Sequence, residues 1–456
     1  MPTVIGVIFF CCGVYCFLLK EDSLLGLLVI AGIFQAASAI NIAERGIQPY
    51  YVIALFVIVR AAINRMLGSS SSRFVPQSAW LLAFAIIAIA SAFVLPIIFA
   101  GVPVYDPKVG IDDGLFVRPP LRFGLNNVAQ AGFLACHIAA VYAVPYLKPS
   151  LQKARKAYIW AFYLVVVIIV AQSVCQLTGI PFPHSLILNN PGYALWDAEG
   201  EVGGTRNPGP FSEPSLAGGF LVMYCVGFLA QYLSGKAGAI RLIVSLAAIG
   251  LVASGGSLLA LILIIPVLLA CYFPFRFPWY IDMQRMKKLA YVVLILAAPL
   301  ALALLASSGY RDALLVNTLS KSDSGSFINR TASDLYAIQL LIQTHWIGVG
   351  LGSNRASSLL PTLLSNVGVV GGVTFGVFYI KLFAKLPGEH KWLKWAGIAL
   401  LLNMCIGIAD VTIPILWLPI LLAVQFSSTA PRPAPRVPWL RLWPKETARL
   451  APSPSS

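Results

Sequence analysis

The sequence predicts an all-α polytopic membrane protein of about 12–14 transmembrane helices with large loops on one side, and three observations carry that prediction. Hydrophobic residues make up 59% of the 456 positions and charged residues 11%, against roughly 25% charged in a soluble domain. Apolar runs of about 18–22 residues recur, each long enough to cross a hydrocarbon core about 30 Å thick. Lysine and arginine collect in the short connectors between those runs.

Taken in order, spans are expected at 2–19, 23–41, 48–65, 79–100, 124–146, 157–177, 214–233, 238–255, 257–274, 288–306, 360–382, 393–409 and 411–426. The first lacks a basic leading region and a small-residue cleavage site, so it reads as a span and not a signal peptide. Connectors holding Arg65 and Arg73, Lys148 to Lys156, Lys236 and Arg241, Arg276 to Lys288, and Lys381 to Lys394 fall on the same side by alternation. The positive-inside bias puts them in the cytoplasm with the basic tail, and the N-terminus outside. The net charge of +15 is therefore explained by topology, and no nucleic-acid partner is expected.

The chain divides into a helical bundle over 1–426 and a Pro/Arg-rich tail over 427–456 that cannot bury a core. In the tail, Trp439 to Trp443 form a short aromatic and basic patch suited to the inner leaflet. The outer connectors at 101–123, 179–213 and 307–359 are long, and loops of that length are usually functional or disordered. Within the last, SDLYAIQLLIQTHW (333–346) repeats Leu335, Ile338, Leu341 and Ile342 at helical spacing. It predicts a helix along the outer face, with Ser333 as its cap. The eight cysteines all lie in apolar runs without a CxxC pair. They read as small apolar residues, with no disulfide framework or zinc site expected.

Ionisable groups within membrane spans mark function, and this chain has few. Arg60 lies near an inner helix end and can snorkel. His137 reads as a neutral, hydrogen-bonded bundle residue, and Asp410 as part of a short outer turn. That scarcity speaks against an ion-coupled transporter. The outer loops are richer. In GGTRNPGPFSEPS (203–215), Pro208 and Pro210 stiffen the chain around Gly209, Pro214 suits the first helical position, and Glu213 stands at the helix start. The third loop carries Arg330 before its helix, and His345, three glycines (348, 350, 352) and Arg355 after it. GVGLG lacks the preceding strand of a dinucleotide site.

Arg206, Arg330 and Arg355 thus stand on outer loops above an apolar bundle. Guanidinium groups match phosphate oxygens in bidentate, charge-assisted bonds. The expected ligand is a polyprenyl chain carrying a pyrophosphate-linked sugar. Arg206, Arg330 and Arg355 would meet the diphosphate, His345 would assist binding, and Glu213 would take the proton of an attacking hydroxyl. Helix capping is the competing role for Glu213, and capping or packing for Asp334 and His345. No metal or other cofactor is expected, because paired acids at ligand spacing are missing.

These pieces resemble the O-antigen polymerase and O-antigen ligase superfamily of bacterial envelopes. The likeness rests on RNPGPFSEPS (206–215), NRTASDLYAIQLLIQTHWIGVGLGS (329–353) and RASSLLPTLLSNVGVVG (355–371). It extends through the helix pattern over nearly the whole chain. The resemblance implies a GT-C-like glycosyltransferase bundle in the inner (cytoplasmic) membrane with a periplasmic active site. It implies undecaprenyl-pyrophosphate-linked glycans as donor and acceptor, a chain-length regulator and a flippase as partners, and Arg206 and Arg355, on two large loops, as the arginines that stabilise the leaving diphosphate, with Arg330 assisting binding. Ligases of the superfamily typically carry an Ala-His-Asn-like motif upstream of the Gly-x-x-Gly turn. Here the corresponding residues are Ala356, Ser357 and Ser358. That departure favours polymerisation of O-antigen, capsule or exopolysaccharide repeat units and leaves a histidine base without a residue. The alternatives are ligation to a lipid A core or protein and, in another class, transport of a lipid-linked oligosaccharide.

Overall fold

Prolines, glycines and polar anchors decide where the apolar runs become helices. The computed structural model describes residues 1–42, 45–68, 78–106, 118–147, 150–192, 207–272 and 325–429, with scattered positions between 284 and 295. Its helices are α1 (Val4–Leu19), α2 (Leu24–Ala31), α3 (Pro49–Met66), α4 (Ser78–Ile98), α5 (Leu125–Ala143), α6 (Leu151–Thr178), α7 (Pro214–Leu233), α8 (Ile240–Val252), α9 (Gly255–Tyr272), α10 (Gly325–Gln343), α11 (Leu359–Ala384), α12 (Lys391–Gly407) and α13 (Pro414–Thr429). Proline occupies the first turn of α3 and α7, where its missing N–H costs nothing. Thr3 caps α1 by accepting from the Gly6 amide at 3.0 Å.

Among the described residues, seven helices are long and apolar enough to cross a membrane: α3, α4, α5 with its following turn, α6, α7, α9 and α11. Shorter apolar helices (α1, α8 and α13) join them. The chain is therefore an all-α, multi-pass membrane protein. The centre of the bundle is α7, of whose span 94% is buried, together with α13, where Ile415 to Leu418 are fully covered. Glycines let neighbours approach α7 closely. A Cβ at Gly218 would stand 2.0 Å from Ser257 Oγ, and one at Gly219 would stand 2.5 Å from Asn403 Oδ1. Outer helices instead turn large apolar side chains outward, as with Leu82 and Ile86 on α4 and Trp160 and Val167 on α6. In a membrane protein that is the lipid-facing surface.

The two ends of the bundle differ. At one end, Arg60 pairs with Glu21 at 2.9 Å and Lys153 with Asp22 at 2.5 Å. Arg65 lies over Tyr146, Lys381 over Trp80, and Lys236 Nζ donates to the Glu389 carbonyl. The opposite end gathers a short hairpin, Ile40–Ile42 with Arg45–Ile47, and the segments 101–106, 118–124, 207–213, 344–358 and 408–413.

Several expected boundaries change. The run 23–41 is not one span: α2 ends at Ala31 and the chain then runs irregularly into the hairpin. The reason is Gln35, whose buried side chain accepts from the Ser212 amide and whose carbonyl accepts from Gln48 Nε2. Helix α6 starts six residues earlier than expected, at Leu151, with Ser150 as its cap. The helix expected along the outer face begins at Gly325 and not at Ser333, so Ser333 is no cap. It also does not lie along that face but runs parallel to the first segment of α11, tied from Asp334 to Ser357 and Ser358 and from the Trp346 carbonyl to the Val369 amide. Ser333 is buried inside α10, its hydroxyl donating back to the Arg330 carbonyl at 2.8 Å. The run 360–382 is broken within α11 by Gly368, at φ 72° and ψ 178°. The expected span 288–306 lies largely outside the described residues, and the tail beyond Thr429 lies wholly outside them.

Candidate functional site

Three segments build a polar corner at the end of the bundle away from the basic connectors. The first leads into α7. Gln172 of α6 grips Gly209 twice, accepting from its amide at 2.8 Å and donating to its carbonyl at 3.1 Å. Asn207 donates to Ser173 Oγ at 2.9 Å, and the Pro210 carbonyl accepts from the Ala36 amide. Gly209 takes the positive φ of 63° that the Pro-Gly-Pro turn requires. These anchors set Glu213 at the N-cap position of α7. Its side chain does not cap the helix backbone. It accepts from Ser215 Oγ at 2.9 Å and faces Arg355.

The second segment dips into the bundle between α10 and α11. His345 and Trp346 both adopt left-handed backbone (φ 53° and 67°), which ends α10 and turns the chain back. The returning segment hydrogen-bonds along α11, the amides of Val349 and Gly350 donating to the carbonyls of Ser365 and Asn366. Asn366 holds the turn from both sides: its Oδ1 accepts from the Ser353 and Asn354 amides, and its Nδ2 donates to the Asn354 carbonyl. From α5, Asn127 Nδ2 donates to the Leu351 carbonyl and Ser353 Oγ. Asp334 of α10 then fixes the start of α11, accepting from the amides and hydroxyls of both Ser357 and Ser358 at 2.7–3.2 Å. Arg355 is thus held between two bolted points, and its amide donates to the Tyr105 carbonyl at 3.2 Å.

The third segment joins α12 to α13. Asp410 Oδ1 accepts from both the amide and the hydroxyl of Thr412 at 2.7 Å. The Thr412 hydroxyl also lies 2.6 Å from Gln130 Oε1. The Thr412 carbonyl accepts from Tyr51 Oη and lies 2.7 Å from His137 Nε2. His137 in turn meets Tyr50 Oη at 3.0 Å and stacks on Trp417. Burial raises the Asp410 carboxyl above its usual range, against the opposing pull of the Thr412 bonds and the Arg355 charge.

Arg355 Nη2 lies 3.9 Å from Glu213 Oε1, with both side chains about 40% exposed. An exposed pair at that distance contributes about 0–1 kcal/mol, so exchanging the carboxylate for another anion costs little. Arg330 reaches the same corner from α10: its Nη1 lies 3.3 Å from where a side chain at Gly407, the last residue of α12, would begin. The corner therefore brings together Arg355, Arg330, Glu213 and Asp410. Arg206 lies outside the described residues, immediately before the anchored Asn207.

His345 is not part of this corner. It sits exposed past the far end of α10, fifteen residues beyond Arg330, or about 22 Å at 1.5 Å per residue. Its left-handed backbone makes it a turn residue. Asp334 serves as an anchor, as its competing reading had it. Two residues outside the expected set belong to the corner. Asp410 had only the signal of a lone acid between two late spans. Arg118 lies 4.4 Å over the Tyr336 ring, which packs edge-on against Tyr105. It had the signal of a cation in the first long outer loop.

No protein-family model matches the chain, and none of the curated proteins matches it.

Proposed function

We propose that the protein is a metal-independent glycosyltransferase that joins polyprenyl-pyrophosphate-linked oligosaccharide repeat units at the outer face of the cytoplasmic membrane. The observation that carries the reading is the meeting of two guanidinium groups and two carboxylates at the end of an apolar bundle opposite its basic connectors. An amphiphile with a diphosphate between chain and sugar suits such a corner.

In this reading the acceptor hydroxyl oxygen attacks the anomeric carbon of the donor glycan. The bond from that carbon to the diphosphate oxygen breaks, and the diphosphate leaves with the electron pair. Arg355 and Arg330, joined by Arg206 from the adjoining loop, meet the charge that develops there, which lowers the transition state more than the ground state. Loss of one such contact costs roughly 10²–10³ in rate. The hydroxyl proton passes to a carboxylate. Asp410 suits that role better than Glu213, because burial raises its proton affinity and two Thr412 bonds fix it. Glu213 then holds the Arg355 guanidinium until the diphosphate replaces it.

Polymerisation is favoured over ligation because Ser357 and Ser358 bind Asp334 where a ligase histidine would be expected. The test is extension of a defined lipid-linked repeat unit by the purified protein in vesicles. Long chains with wild type and single units with Arg355→Ala support the proposal. Long chains with both, or none with wild type, contradict it.

A further inference from the structure

Helix α5 touches both segments that carry the chemistry of the corner. Asn126 Nδ2 donates to the Gly352 carbonyl at 3.1 Å, and Asn127 Nδ2 donates to the Leu351 carbonyl and Ser353 Oγ at 2.8 Å, just ahead of Arg355. Further along the same face of the helix, Gln130 and His137 meet Thr412, two residues after Asp410. Gln130 is wedged between the two segments. Its Cγ lies 3.0 Å from where a Cβ at Gly352 would stand, and its Oε1 lies 2.6 Å from the Thr412 hydroxyl.

That hydroxyl has one proton to give and stands between two oxygens, Asp410 Oδ1 at 2.7 Å and Gln130 Oε1 at 2.6 Å. An ionised carboxylate and an amide oxygen both only accept, so one proton cannot serve them both. Two arrangements resolve the conflict. With Asp410 neutral, its carboxyl donates to Thr412 and Thr412 donates to Gln130. With Asp410 ionised, the Gln130 amide turns over, its Nε2 donates to Thr412, and the Thr412 proton goes to Oδ1. The two amide orientations have the same shape, so the turn needs no repacking. In the ionised arrangement Oδ1 accepts from the Thr412 amide and hydroxyl together, while no hydrogen bond among the described residues reaches Oδ2.

The neighbouring titratable groups do not compete for the Thr412 hydroxyl. Tyr51 Oη and His137 Nε2 reach the Thr412 carbonyl instead, and Tyr50 meets His137. The other charged members of the corner are Arg355 ahead of α11, Arg330 of α10 and Glu213 at the start of α7. Of these, the Arg355 charge favours the ionised form of Asp410.

We propose that Gln130 is a positioning residue for Asp410: by donating to the Thr412 hydroxyl it commits that proton to Oδ1 and leaves Oδ2 as the oxygen that takes the proton of the attacking hydroxyl. The acceptor O–H bond breaks as the Oδ2–H bond forms, and Gln130 and Thr412 neither gain nor lose a proton. The inference rests on the glycosyltransferase reading for the source of that proton.

The test is infrared titration of the Asp410 carboxyl in the full-length protein in vesicles without substrate, its band identified by loss in Asp410→Asn. Gln130→Glu puts an acceptor-only carboxylate beside Thr412, which draws the hydroxyl proton away from Oδ1. Proton affinity at Asp410 should rise about tenfold, and by no more than about twofold when the same exchange is made on Thr412→Val. An equal rise on both backgrounds is charge acting through space and overturns the inference, as does no rise. In chain extension, Gln130→Met should lower kcat about tenfold at unchanged KM for the repeat unit, and cost nothing further on Thr412→Val. An equal loss on both backgrounds, or a loss carried by KM, reduces Gln130 to packing and overturns it. Because the titration needs no turnover, failure of wild type to extend glycans sinks the glycosyltransferase reading and leaves the coupling of Gln130 to Asp410 to be decided by the titration.

Discussion

At the scale of single residues the account turns on Arg355. Its ion pair with Glu213 is long, at 3.9 Å, with both side chains about 40% exposed, so that contact itself adds little to stability. Lys at this position supplies a point charge without the planar fork. Arg355→Lys is expected to retain only a minor part of the activity and to shorten chains, as read by product length on gels at equal membrane abundance. Asp410 supplies a pH signature. A carboxyl whose burial raises its pKa accepts a proton only when ionised, so activity should climb with pH through a value above the ordinary 3.9 or so for aspartate. Asp410→Asn should abolish that limb and most of the rate. The stability effect runs the other way. A raised folded-state pKa means that the neutral form is favoured, so the wild type loses stability as pH rises from the unfolded value through the raised one. Melting curves of Asp410→Asn should lack that loss. That Arg355 and Glu213 lie at the end of the bundle away from the basic connectors was legible from the sequence, whereas their meeting was not, because it depends on separate anchors through Gln172 and Asp334. Asp410 was legible as an acid in a turn, and its tie to Thr412 was not, since Gln130 and Tyr51, which hold Thr412, come from distant helices.

At the scale of elements, the broken α11 and the irregular segment packed into its break position the arginine. Gly368 sits at φ 72°, and a Cβ there would stand 2.4 Å from the Ile347 carbonyl oxygen and 2.6 Å from that of Trp346. Both strain and clash oppose any side chain. Gly368→Ala is expected to lower the melting temperature and reduce chain extension at least tenfold, measured on detergent-purified protein, while Gly376→Ala, whose Cβ meets open space, should do neither. The sequence predicted 360–382 as an unbroken helix because its apolar content never falters across Gly368. Periodicity reports burial, and it is silent about a backbone reversal that a single glycine allows. The run 23–41 misled for the same reason: hydropathy saw its apolar residues, while the fold was set by the backbone and side-chain bonds of Gln35. The helix at the third outer loop was legible as an element, but its start was not, since Phe327 and Ile328 face outward ahead of the periodic run.

At the scale of the whole molecule, the bundle separates its basic connectors from the polar corner by the length of its helices. That separation follows from charge placement and hydropathy alone, which is why fold class was readable while the site's geometry was not. A cysteine replacing Arg118 should be labelled by a membrane-impermeant thiol reagent from outside the cell, and one replacing Lys236 only after permeabilisation. The reverse pattern would put the corner in the cytosol, away from exported glycans. The most direct measurement of the central claim is the stoichiometry of diphosphate release. Purified protein in vesicles, given a radiolabelled polyprenyl-pyrophosphate-linked repeat unit, should free one polyprenyl diphosphate for each glycosidic bond formed, and Arg355→Ala should depress both together by roughly 10²–10³. Movement of the labelled lipid across the membrane with no diphosphate released and no bond formed would contradict the account.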